Sequence, residues 1–106
     1  MNIEFQTPYK KVSEKLISEI RNEIMEISHS NLKISKAEVI MREIEMLQGE
    51  ENRICEIRLS ILKDSLLVHS RKETFEKAAK ETLKELKRLV NQQMNKLNKV
   101  PEKNLS

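Results

Sequence analysis

The sequence predicts an α+β fold of order β-α-β-β-β-α, a four-stranded sheet with two helices on one face. Three observations carry this. Two stretches repeat apolar residues every three or four positions, three consecutive stretches between them alternate apolar with polar residues, and one short alternating run precedes them all. A sheet with one apolar face and two helices with one apolar stripe each can close a two-layer sandwich around a single core.

The first strand is Ile3 to Phe5, ended by Thr7-Pro8. A helix follows, with Ser13 placed as its N-cap, because a serine hydroxyl can accept an otherwise orphan backbone N–H. Val12, Leu16, Ile20, Ile24 and Ile27 mark its apolar face, and Ser28-His29-Ser30-Asn31 ends it. From Ile34 the period becomes two. Ala37, Val39 and Met41 share one face of a strand, and Gln48-Gly49-Glu50-Glu51-Asn52 forms a turn around the only glycine. Cys55, Ile57, Leu59 and Ile61 give the next strand; Lys63-Asp64 turns the chain; Leu66, Val68 and Ser70 alternate with Leu67, His69 and Arg71 in the last. Short turns between successive strands imply an antiparallel meander. The final helix runs from about Glu73 to about Leu97 on a stripe of Phe75, Ala79, Leu83, Leu86, Val90 and Leu97, with Pro101 beyond its end. One domain over 1–97 and a polar, disordered tail over 98–106 follow. An all-helical hairpin would also suit the charge content and scarce Gly and Pro, but the period-two runs at 37–42, 55–61 and 66–71 favour α+β.

A chain of 106 residues can bury a core without staples, and its single cysteine, Cys55, offers no internal disulfide. Cys55 sits in an apolar alternation with no neighbouring base, so it reads as a buried structural thiol. Met1-Asn2-Ile3-Glu4-Phe5 lacks the basic start of a signal peptide, and no run approaches the roughly eighteen apolar residues a membrane span needs, so a cytoplasmic protein is expected. Signals for catalysis are missing. His29 and His69 have no paired carboxylate or cysteine at ligand spacing, and one glycine cannot build a phosphate loop. No enzyme activity, metal, cofactor or small-molecule substrate is expected.

With 20 Lys/Arg against 17 Asp/Glu the net charge is only +3, so the placement of charge decides. Lys77, Lys80, Lys84, Lys87 and Arg88, with Asn91 behind them, fall on one face of the last helix, opposite Phe75, Leu86 and Val90. Such a row can follow phosphates and displace counterions. The bland alternative is a solvated face, since Glu81 and Glu85 lie within pairing reach. Charge stripes on helices are usually that, and on spacing alone nucleic-acid binding stands behind the solvated reading. Lys10, Lys11, Lys15 and Arg21 add positive charge at the first helix, diluted by Glu14, Glu19, Glu23 and Glu26; Arg71 and Lys72 stand where the last strand meets the last helix. Arg58 adds to the outer sheet face. No exposed aromatic stands ready to stack bases, because Phe5 and Phe75 read as buried and only Tyr9 lies in a loop. Backbone and shape recognition of structured RNA fits better than base reading.

Several of these residues together resemble the ribosome hibernation-promoting factor family, also called ribosome-associated inhibitor or sigma-54 modulation proteins. Ile3-Glu4-Phe5 and Val12-Ser13-Glu14-Lys15-Leu16 look like its first strand and helix start. Ala37-Glu38-Val39-Ile40-Met41 looks like its second strand. Glu73-Thr74-Phe75-Glu76-Lys77-Ala78, with Leu83, Leu86, Lys87 and Arg88, is similar to its final helix. The likeness spans residues 1 to 97. It implies a fold like that of double-stranded-RNA-binding domains. It also implies binding to 16S rRNA of the bacterial small ribosomal subunit between head and body, where the mRNA and tRNA path is blocked and translation silenced in slow or stationary growth and stress. Arg88 matches the family arginine directly; Lys77, Lys80, Lys84 and Lys87 join it by periodicity. Glu23 and Glu26 depart from the basic residues of many relatives. Longer relatives carry a C-terminal dimerisation domain, so a short form is expected, with ribosome pairing left to a separate factor. The alternative is a protein-interaction module of the same fold with no RNA partner.

Overall fold

The computed structural model describes residues 1–8, 10–29, 33–44, 51–61 and 64–105, and of 97–105 the backbone alone. The elements are β1 (Asn2–Gln6), α1 (Glu14–Ile27), β2 (Ile34–Glu43), β3 (Arg53–Ile61), β4 (Asp64–Lys72) and α2 (Phe75–Leu105). This is the expected order. Ser13 caps α1 as its sequence position implies, its hydroxyl accepting the Leu16 N–H at 3.1 Å. Thr74 does the same for α2, accepting the Lys77 N–H at 3.1 Å.

The sheet order is β1-β2-β3-β4. β2, β3 and β4 form the antiparallel meander, while β1 lies parallel to β2, a pairing that needs a crossover and finds it in α1. Register then stacks the apolar alternation into rows. Ile3, Ala37, Leu59 and Leu66 make one row; Phe5, Val39, Ile57 and Val68 the next; Met41, Cys55 and Ser70 a third. All point to one face, where they meet Leu16, Ile20, Ile24 and Ile27 of α1 and Phe75, Ala78, Ala79, Leu86 and Val90 of α2 in one core. A fully buried side chain such as Ile20, Ile24 or Ile57 contributes about 1.5–3 kcal/mol by leaving water. The helices therefore form one layer and the sheet's other face stays open.

Three expectations need correcting or completing. Val12 precedes the cap and is only half-buried, so the α1 stripe begins at Leu16. The helix end expected at Leu97 is not observed, because α2 continues through Pro101 to Leu105. Pro101 has no N–H for the carbonyl four residues back, so the helix passes it with that one backbone bond missing. The inner face of α2 also holds Thr82, the one buried polar side chain among the described residues. Tyr9, Ser30, Asn31, the turn around Gly49, Lys63 and the side chain of Leu97 lie outside the described residues.

Candidate nucleic-acid interface

α2 shows its inner face to the sheet, so Lys77, Lys80, Lys84, Lys87 and Arg88 project from the helix layer into solvent, and all five are exposed. At 1.5 Å per residue the row is about 16 Å long. Its charges are not equally available. Lys77 Nζ sits 2.9 Å from Glu73, and Arg88 is held bidentate by Glu85. The hydrogen bond from Lys77 keeps the Glu73 carboxyl below its ordinary range; Arg88 does the same to Glu85, which in turn raises the guanidinium further. Lys87 reaches across to α1, its ammonium 2.5 Å from Glu23 Oε2. That oxygen is shielded from water and lacks hydrogen-bond alignment, so the contact is one of charge rather than geometry. Lys80 and Lys84 have no ion-pair partner among the described residues. Glu23, Leu83, Lys80, Lys84, Lys87, Arg88 and Asn91 line a shallow groove between the helices, which continues past Glu26, Ile27 and His29.

The remaining expected residues are spread over other surfaces. Lys10 holds a left-handed φ of 57° in the turn closed by the Lys11 N–H on the Pro8 carbonyl. Lys11 pairs with Glu43 at 3.0 Å. Lys15 is exposed on the first turn of α1. Arg21 lies over the Phe5 ring, 5.1 Å from its centre, on the β1 side of α1. Two residues on, Glu23 meets α2, so Arg21 and the α2 row stand on opposite sides of α1. Arg71, near Lys77 in sequence, points from the open sheet face, whereas Lys72 is half-buried and turned toward the helix side. Arg42, on the polar side of the β2 alternation, shares a row with Ile54 and Arg71 on that open face, an alignment that only the strand register shows. The same face carries Glu4, Glu38 and Glu56 beside Arg58 and His69, so its charge is mixed.

No group of three or more His, Cys, Asp or Glu among the described residues is placed to hold a metal ion. Burial pushes the Cys55 thiol up to about 11, which suppresses the nucleophilic thiolate at neutral pH. No helix among the described residues is long and apolar enough to cross a membrane.

No protein-family model and no curated protein sequence matches the chain. Solved structures do. The Thermus thermophilus Protein Y N-terminal domain is similar with a TM-score of 0.67 at 14% identity, over 87% of this chain and 98% of that one. A ribosomal subunit interface protein from Coxiella burnetii is similar with a TM-score of 0.69 at 10% identity, over 90% of this chain and 99% of that one. Both are of the hibernation-promoting factor family that the sequence motifs resemble. The chain therefore carries the fold of these two proteins, the β-α-β-β-β-α sandwich that the resemblance implied.

Proposed function

We propose that the chain is a ribosome-binding factor of the hibernation-promoting kind. It docks on the 16S rRNA of the small subunit along the mRNA and tRNA path and holds idle ribosomes out of translation in slow or stationary growth. The cytoplasm is its place of action. The observation that carries this reading is the exposed α2 row, in which Lys80 and Lys84 have no carboxylate partner among the described residues and are flanked by Lys77, Lys87 and Arg88. The shared fold and the motif resemblance support a ribosomal partner for the row. Ammonium groups spaced along one helix face can follow a phosphate backbone, and each contact releases counterions. The work is occupancy: a rigid sandwich filling the path excludes mRNA and tRNA without any covalent step.

Co-sedimentation with 30S subunits at low and raised salt tests the reading. The parent is expected to migrate with the 30S peak at low salt, to leave it as salt rises, and to be displaced by mRNA with initiator tRNA. Charge reversal at Lys80 and Lys84 together is expected to abolish migration while the circular dichroism spectrum stays that of the parent. A parent that remains at the top of the gradient at low salt overturns the proposal. Association that persists at high salt would instead point to an apolar protein interface.

A further inference from the structure

The sheet has two outer strands, and they differ in kind. β1 is five residues long and pairs in parallel, with Pro8 just beyond it. β4 runs nine residues, pairs along its whole length with β3 without a bulge, and has no other strand beside it among the described residues. Natural sheets blunt such an edge with central charges, prolines or bulges. β4 has none of these between its ends: Leu66-Leu67-Val68-His69-Ser70 contains no Asp, Glu, Lys, Arg or Pro. Leu67, on the open face, is 47% exposed, one of three large hydrophobic residues so exposed among the described residues.

Opposite charges stand at the two ends. Asp64 opens the strand, while Arg71 and Lys72 close it, and none of the three has an ion-pair partner within the described chain. Asp64 Oδ1 accepts the Ser65 N–H at 2.7 Å, leaving Oδ2 for a cation. A strand with an acid at one end and bases at the other is complementary to its own antiparallel copy. Full-length self-pairing of nine residues has one register, centred on Val68. It sets Asp64 against the partner's Lys72, Ser65 against the partner's Arg71, and Leu67 against the partner's His69.

We infer that the β4 edge is a self-association surface through which two copies of this chain join their four-stranded sheets into one continuous sheet. The two-fold axis stands perpendicular to the sheet, so both helix layers lie on the same side. Edge N–H and C=O groups exchange hydrogen bonds, and the exposed Leu67 of each copy is covered.

Sedimentation velocity of the whole chain from about 10 μM to about 1 mM tests this. The 12.5 kDa monomer is expected to give way to a species of twice that mass. Asp64→Lys and Leu67→Lys each act twice across the two-fold axis, and each is expected to raise the dissociation constant about tenfold. Asp64→Lys combined with Lys72→Asp restores opposite charges across the axis and is expected to return the constant to the parent's. Circular dichroism confirms that each variant is folded, and Leu67→Lys, at a site already exposed, reports on the edge independently of the charge swap. A single 12.5 kDa species at every concentration overturns the inference. So does a dissociation constant that Leu67→Lys leaves at the parent's value, or one that the double swap fails to restore.

Discussion

Thr82 and Cys55 meet where α2 crosses the central strand β3. The Thr82 hydroxyl lies 2.7 Å from the Ala78 carbonyl and 3.1 Å from the Cys55 carbonyl, so its one hydrogen serves both. Thr82→Val keeps the volume but removes the donor from a dry site, and about 1 kcal/mol of stability should be lost, read as a lower urea midpoint at unchanged slope. No periodicity rule asks for a threonine here; only the packed seam shows why it is tolerated. Cys55 adds a pH dependence whose sign follows from its burial. The folded thiol titrates near 11 against an ordinary 9.0, so the unfolded chain loses this proton first. Stability from this group is complete below pH 9 and is lost as pH rises through 11, by at most about 2–3 kcal/mol. Comparing urea melts of the parent and Cys55→Ala from pH 8 to pH 11 isolates the effect, because the variant lacks that slope. A thiol reagent at pH 8 should react with Cys55 only after unfolding.

At the scale of elements, the strands and α1 were legible because one face of each is dry, and burial imposes period two or 3.6 on the sequence. Ala37, Val39 and Met41 of β2 are all buried as that pattern requires. What periodicity does not encode is pairing. The parallel seat of β1 on β2, and the row that joins Arg42 to Arg71 across Ile54, exist only once the sheet is assembled. The apolar stripe of α2 stops at Leu97, whereas the helix itself runs on through Pro101 to Leu105, so the stripe does not mark its end. The Glu23–Lys87 pair likewise joins two elements far apart in sequence. Both side chains are partly exposed, so the pair contributes no more than about 0.5–1 kcal/mol to the fold. Its larger consequence is for ligand binding, since Glu23 occupies a cation of the row. Glu23→Gln should leave the thermal midpoint close to the parent's and tighten association with 30S subunits. The slope of log affinity against log salt should steepen by about one, as Lys87 becomes free for a phosphate.

For the whole molecule, the question is which of the eleven expected basic residues act together. Sequence order suggested continuity from Arg71 and Lys72 into the α2 row, but a strand and the helix after it can point to opposite faces. Arg71 does so here: it looks out from the open sheet, Arg21 from the β1 side of α1, and Lys11 is engaged with Glu43, so apart from Lys15 at the start of α1 and the half-buried Lys72 the helix layer carries the α2 row as its cationic surface. On the proposed docking the α2 row is the surface that meets RNA, and electrostatic contacts fade within about 10 Å at moderate salt, so a charge on the far face of the sheet contributes less to that contact. Two matched charge reversals separate the faces. Lys84→Glu should weaken 30S association at least tenfold and flatten the salt slope by about one to two, because a contact is lost and a repulsion added. Arg71→Glu makes the same change in net charge from the opposite face and should move affinity less than about twofold. Equal losses from the two variants would mean that net charge rather than the helix face governs binding, and the assignment of the row would fail.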